Sequence, residues 1–173
     1  MTDASFSPFQ THLDQDRALK ILRAALDGAE DGELFLERSR GEALVFDDGR
    51  LRNASYDAEQ GFGLRAVKGE VTGYAHSTEI NEAALRKAAE TVRLAVGDGG
   101  GTLALPPSGK VAPLYAAIDP AEGVSFATRV ALLREIDGFA RGLDPRVVQV
   151  SASISTSVQE IAILRPEGGL ATD

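Results

Sequence analysis

Two alternating runs, Phe62-Gly63-Leu64-Arg65-Ala66-Val67 and Val71-Thr72-Gly73-Tyr74-Ala75-His76, flank Lys68-Gly69-Glu70. An apolar residue at every second position is the signature of a half-buried strand, and glycine at the break tolerates the positive φ of a tight turn. If Lys68-Gly69 is the two-residue loop, Val67 faces Glu70, Ala66 faces Val71 and Arg65 faces Thr72. One face then carries Phe62, Leu64, Ala66, Val71, Gly73 and Ala75. The other carries Arg65, Glu70, Thr72, Tyr74 and His76. This is one apolar and one polar face of an antiparallel hairpin.

The pattern extends upstream. Leu34 and Leu36 alternate with polar residues, as do Leu44 and Phe46, and Asp48-Gly49 is a second two-residue hairpin signal. Residues 33–76 therefore predict an antiparallel meander of about five strands. Before it, Ala18, Ile21, Leu22, Ala25 and Ala29 recur at helical spacing. Asp14 and Asp16 suit the positive end of that helix, and Gly28 with Glu30-Asp31-Gly32 marks its exit. After the meander, Ala84, Leu85, Ala88, Ala89, Val92 and Val96 predict a helix over 78–96, capped by Asn81 and stopped by Gly97.

Glycines and prolines between 97 and 120 predict a linker. A third helix follows over 126–141, with Leu132, Ile136, Phe139 and Leu143 on one face and Val130, Leu133 and Ala140 beside them. Val148, Val150, Ala152 and Ile154 alternate with Gln149, Ser151, Ser153 and Ser155, and a further strand over Val158–Leu164 completes a carboxy-terminal hairpin. Glu167-Gly168-Gly169 turns the chain, and Leu170-Ala171-Thr172 begins another strand, which we expect to continue in a longer chain. The fold class is α+β: a mostly antiparallel sheet, meander plus carboxy-terminal hairpin, with about three packed helices. Residues 1–10 form a loose start and 11–173 a single domain with its linker at 97–120.

Composition excludes several functions. There is no cysteine, and the two histidines, His12 and His76, stand far apart, so a complete thiol or histidine-rich metal site is not expected. The net charge of −8 argues against nucleic-acid binding. Residues 1–10 have no signal-peptide pattern, and no apolar run approaches the ~18 residues of a membrane helix. With no cysteine framework, a cytoplasmic location is expected. Ser151, Ser153, Ser155 and Ser157 line one strand face and lack a nucleophile-elbow motif. Gly61-Phe62-Gly63 and the glycines from 97 to 101 lack the spacing of a phosphate loop. The most suggestive polar group is Arg65 with Tyr74 and His76. Arginine and tyrosine are favoured anchors at binding surfaces, although a solvated sheet face has the same composition.

The run from Asp57 through Gln60-Gly61-Phe62-Gly63-Leu64-Arg65-Ala66 to Gly69-Glu70-Val71-Thr72-Gly73-Tyr74-Ala75 closely resembles the amino-terminal domain of the TldD/PmbA metallopeptidases, nearer to TldD. Asp48-Gly49-Arg50, Pro113-Leu114-Tyr115, Asp119-Pro120 and Arg146-Val147-Val148-Gln149-Val150 extend the resemblance in order from about residue 10 onward. The resemblance implies a cytosolic peptidase, once called a modulator of DNA gyrase, that degrades or trims small or unfolded peptides. It implies pairing with a PmbA-type subunit or a second copy. Zinc would be held by a histidine-glutamate helix motif in a carboxy-terminal domain that no position here matches. No catalytic or metal-binding residue is therefore carried over, and this chain is expected to bind no cofactor and to be inactive alone. Gln60, Gly61, Gly63, Arg65, Thr72 and Tyr74 are the candidate substrate-wall or interface residues. An alternative reading is a free-standing binding or assembly module, with an open sheet edge that pairs with a partner strand.

Overall fold

Asp48 and Gly49 both hold positive φ, 49° and 75°, and they are the only residues between two long strands. Positive φ at both central positions is the type I′ turn, whose twist matches that of the strands it joins. The computed structural model describes residues 6–97, 102–104, 119 and 122–173. Its elements are α1 (Pro8–Thr11), α2 (Gln15–Ala25), β1 (Asp31–Asp47), β2 (Arg50–Lys68), β3 (Val71–Ser77), α3 (Glu82–Val96), α4 (Phe126–Leu143), β4 (Ser151–Leu164) and β5 (Leu170–Thr172). The strands form one sheet in the order β3-β2-β1-β4-β5. The fold is α+β, as the sequence predicts. Most of the expected linker over 97–120, including Pro113 and Tyr115, lies outside the described residues.

The segmentation differs from expectation in four places. The meander over 33–76 is three strands, because β1 and β2 run unbroken for 17 and 19 residues. The start of β1 takes in Asp31 and Gly32, which the sequence suggests as a helix exit. The carboxy-terminal hairpin is formed by β4 and β5, since 148–164 contains no turn. Residues 170–172 are paired, with Ala162 opposite Thr172 and Leu164 opposite Leu170. A short helix, α1, joins the three expected ones.

The chain divides into two compact units. The first comprises residues up to 38, 59–114 and 159–173; the second comprises 39–58 and 115–158. In the first, α2 and α3 cover one face of the sheet. Leu22, Leu26, Leu85 and Val92 meet Leu34, Leu36, Leu64 and Ala66 in its core. Each large apolar side chain buried there contributes about 1.5–3 kcal/mol. Asp14 Oδ1 accepts from Arg17 N at 2.8 Å and Asn81 Oδ1 from Ala84 N at 2.8 Å, satisfying amides left free at the start of α2 and α3. A Cβ on Gly73 would stand 2.8 Å from Val92 O, so the missing side chain lets the α3 backbone close onto β3.

The second unit has its own small core of Leu44, Phe46 and Leu133, bordered by Val130, Leu51, Ala152 and Ile154. The serine face of β4 is exposed and its Ala152 and Ile154 are half-buried, as alternation requires. On α4 the face of Leu132, Ile136, Phe139 and Leu143 is the exposed one, at 48%, 41%, 69% and 69%, while Leu133 beside it is fully buried. The helix carries two apolar stripes, and the sheet takes the one that also brings in Asp137. The buried Asp137 carboxylate accepts from Arg141 Nε at 3.1 Å, and the same guanidinium pairs with Asp48 and donates to Val148 O at 3.2 Å. Asp137 becomes burial-tolerant only because Arg141, one turn on, neutralises it.

The two stripes separate by mutation. Leu133→Ala should destabilise the chain by about 2–5 kcal/mol, and Leu132→Ala by no more than about 0.5 kcal/mol, in urea unfolding. Equal effects would mean that α4 is rotated from the position described.

Candidate functional site

The candidate residues lie on β2 and β3, with Gly61, Gly63, Arg65, Thr72 and Tyr74 on the sheet face opposite α2 and α3 and Gln60 in alternation with them. Its loop is Gly69-Glu70, and Lys68 pairs with Val71, Val67 with Thr72, Ala66 with Gly73, Arg65 with Tyr74 and Gly63 with His76. This corrects the expected register: Arg65 faces Tyr74, and Thr72 falls opposite Val67. The slip of two positions preserves which residues share a face, because side chains alternate with a period of two. Gly69, at φ 56°, takes the first central position, where a type II′ turn requires positive φ. Glu30 seats the turn: its N donates to Val67 O at 2.7 Å and its Oε2 accepts from Gly69 N at 3.1 Å.

Arg65 is already engaged within the chain. Its Nε donates to Glu33 Oε1 at 3.0 Å and its Nη2 to Asp31 Oδ2 at 2.7 Å. The bond to Glu33 and then that to Asp31 hold the guanidinium pKa above its ordinary value, against the opposing effect of partial burial. Sequence reading missed these two carboxylates, having assigned residue 31 to a helix exit. Their signal was present, because residues 31 and 33 alternate with the core positions Leu34 and Leu36 and so point to the polar face. The Tyr74 ring lies against Gly63, where a Cβ would meet its Oη at 2.7 Å, and it stacks on His76 with centroids 5.8 Å apart. Tyr74 and His76 are exposed. Gln60 is exposed on β2, and Gly61 admits Ser77 O, which would stand 2.7 Å from an added Cβ.

This face offers a fixed arginine, a phenol and an imidazole, with no nucleophile–base pair built into it. The donor set does not fit a metal either. Among the described residues no three or more histidine, cysteine, aspartate or glutamate side chains gather into a possible metal site. His12 ends α1, distant in sequence from His76 on β3, so no catalytic step is derived from these residues.

Residues 32–96 match the PmbA/TldA metallopeptidase domain 1, and residues 119–173 match the PmbA/TldA metallopeptidase central domain. The chain belongs to the PmbA/TldD metallopeptidase family. Relatives named metalloprotease TldD homologue include one from Haemophilus influenzae, 38% identical over 82% of this chain. Another, from Buchnera aphidicola, is 27% identical over 92% of it. The chain spans about a third of the length of these relatives, 30% of the first and 33% of the second. TldE from Thermococcus kodakarensis shares the fold, with a TM-score of 0.65 at 17% identity over 91% of this chain and 36% of that one. So does a Thermotoga maritima protein described as a candidate modulator of DNA gyrase, with a TM-score of 0.71 at 14% identity over 92% and 36%. No helix among the described residues is long and apolar enough to cross a membrane.

The close approaches rank the glycines of this family motif. A side chain at Gly73 or Gly61 meets backbone, which cannot give way, whereas one at Gly63 meets the movable tip of Tyr74. Gly73→Val and Gly61→Val should each cost about 1–3 kcal/mol, with Gly63→Val the mildest of the three in thermal and urea melts. Arg65→Met leaves Asp31 and Glu33 facing each other unneutralised. The loss should be about 1 kcal/mol at most, since all three side chains are partly exposed, and should shrink as salt is added.

Proposed function

We propose that this chain is the non-catalytic amino-terminal part of a TldD-like zinc metallopeptidase that degrades or processes small or unfolded peptides in the cytoplasm. Its role is to confine the substrate and to help pair subunits, with a PmbA-type partner or a second copy. The observation that carries the reading is the family match over both domains, combined with a donor set that cannot assemble a metal site among the described residues. Catalytic zinc is assigned to a domain outside these 173 residues, in keeping with the longer relatives. Gln60, Gly61, Gly63, Arg65, Thr72 and Tyr74 act as wall or interface residues. The arginine clamped by two carboxylates makes that wall rigid, and Tyr74 and His76 give it polar groups for a peptide backbone.

The division of labour is tested by zinc-loading both this 173-residue chain and the complete product of its native reading frame. Only the complete product should cleave an unfolded peptide. Cleavage by the 173-residue chain, abolished by His76→Ala, would overturn the proposal.

A further inference from the structure

In the first unit side chains of α2 and α3 line an open groove of about 280 Å³. Arg17, Lys20, Ile21 and Ala24 reach it from α2, and Arg86, Ala89, Glu90 and Arg93 from α3. Both sets follow the spacing that puts side chains on one helix face. The floor is apolar, formed by Ile21, Ala24, Ala25 and Ala89, and the small alanine side chains leave space between the helices. The walls carry four cations and a single carboxylate, Glu90, in a chain whose net charge is −8.

Two of the cations already hold a carboxylate. Glu82, in the first turn of α3, accepts from Arg86 Nη2 at 2.6 Å and lies 3.4 Å from Arg17 Nη1. The Arg86 bond, with help from Arg17, keeps the Glu82 carboxyl below its usual range. Lys20 and Arg93 are exposed, and neither side chain makes a hydrogen bond or ion pair with the described residues. Half of the cationic wall therefore makes no direct ion pair among the described residues, with Glu90 the one carboxylate lining the groove beside it.

We propose that the α2–α3 groove is a docking site for an acidic peptide segment. Carboxylates of the segment pair with Lys20 and Arg93, and an apolar side chain between them rests on Ile21, Ala24 and Ala89. Charge complementarity selects this occupant. The acidic remainder of the surface repels a polyanion, so an acidic segment is attracted only where cations concentrate. The apolar floor distinguishes a peptide from a bare inorganic anion, which gains nothing from it. A volume near the low end of ligand sites, roughly 300 Å³, suits a few side chains and not a large cofactor. This proposal does not rest on the peptidase reading.

The test is fluorescence anisotropy with the full chain and a labelled peptide alternating glutamate and leucine, beside a control alternating glutamine and leucine. The glutamate peptide should bind and the glutamine peptide should not. Lys20→Glu with Arg93→Glu should weaken binding at least about tenfold, and added salt should weaken wild-type binding. Glu90→Gln should hold or improve affinity. The control pair Lys68→Glu with Lys87→Glu changes net charge equally at residues of the same unit that do not line the groove, and should bind nearly as the wild type does. Thermal melts establish that each variant is folded. If charge reversal prevents folding, Lys20→Gln with Arg93→Gln should show the same direction of loss. The proposal is overturned by equal losses in both charge-reversed pairs, by equal binding of the glutamine peptide, or by inorganic phosphate that binds as tightly as the peptide and displaces it.

Discussion

The type I′ turn at Asp48-Gly49 is the constraint on which the sheet depends. It joins the 17 residues of β1 to the 19 of β2 without a spare residue. A loop of different length would shift one strand against the other, and a shift of a single position would send a core face to solvent. The turn is also held from outside itself. Asp48 pairs with Arg141 of α4, and its N donates to Val150 O at 2.9 Å ahead of β4. Sequence elements nearly a hundred residues apart thereby converge on one two-residue loop within the second unit.

Each compact unit solves the burial problem separately. The first covers its strands with two amphipathic helices of good capping chemistry, so its core is continuous and rich in leucine. Among its described residues the second has one helix and a buried apolar core of Leu44, Phe46 and Leu133. It compensates with ion pairs at its margins: Arg129 with Glu42, Arg141 with both Asp137 and Asp48, and Arg40 with Asp119 at 3.9 Å. Such pairs add specificity of placement more than they add net stability, because desolvation offsets much of their attraction. The apolar stripe Leu132, Ile136, Phe139 and Leu143 stays exposed on this unit.

The polar face near Arg65 shows how a family motif can be structural at its centre. Arg65 spends its Nε and one Nη2 bond on β1 carboxylates, so the most suggestive residue of the motif is first a tie between strands. The glycines around it answer to backbone and ring contacts. Gly73 admits α3, Gly61 admits the end of β3, and Gly63 admits Tyr74. What is left outward is the exposed ring of Tyr74 stacked on His76.

Local periodicity determined much of this protein. The helices around Leu22 and Leu85, the cap at Asn81, the Asp48-Gly49 turn and the division of Phe62–Ala75 into an apolar and a polar face follow from residues near one another in the chain. Tertiary structure decided what periodicity leaves degenerate. A two-position slip of β3 changes every partner and no face, so only the geometry of the Gly69-Glu70 turn selects Tyr74 for Arg65. Asp31 and Glu33 become the arginine's partners because β1 lies beside β2, a long-range pairing. α4 has apolar residues on two sides, and the one buried was settled by contact with Phe46 and Leu44 and by the presence of Arg141 to neutralise Asp137. A helix's own sequence states which stripes are apolar; which of them loses its water depends on the surface it meets.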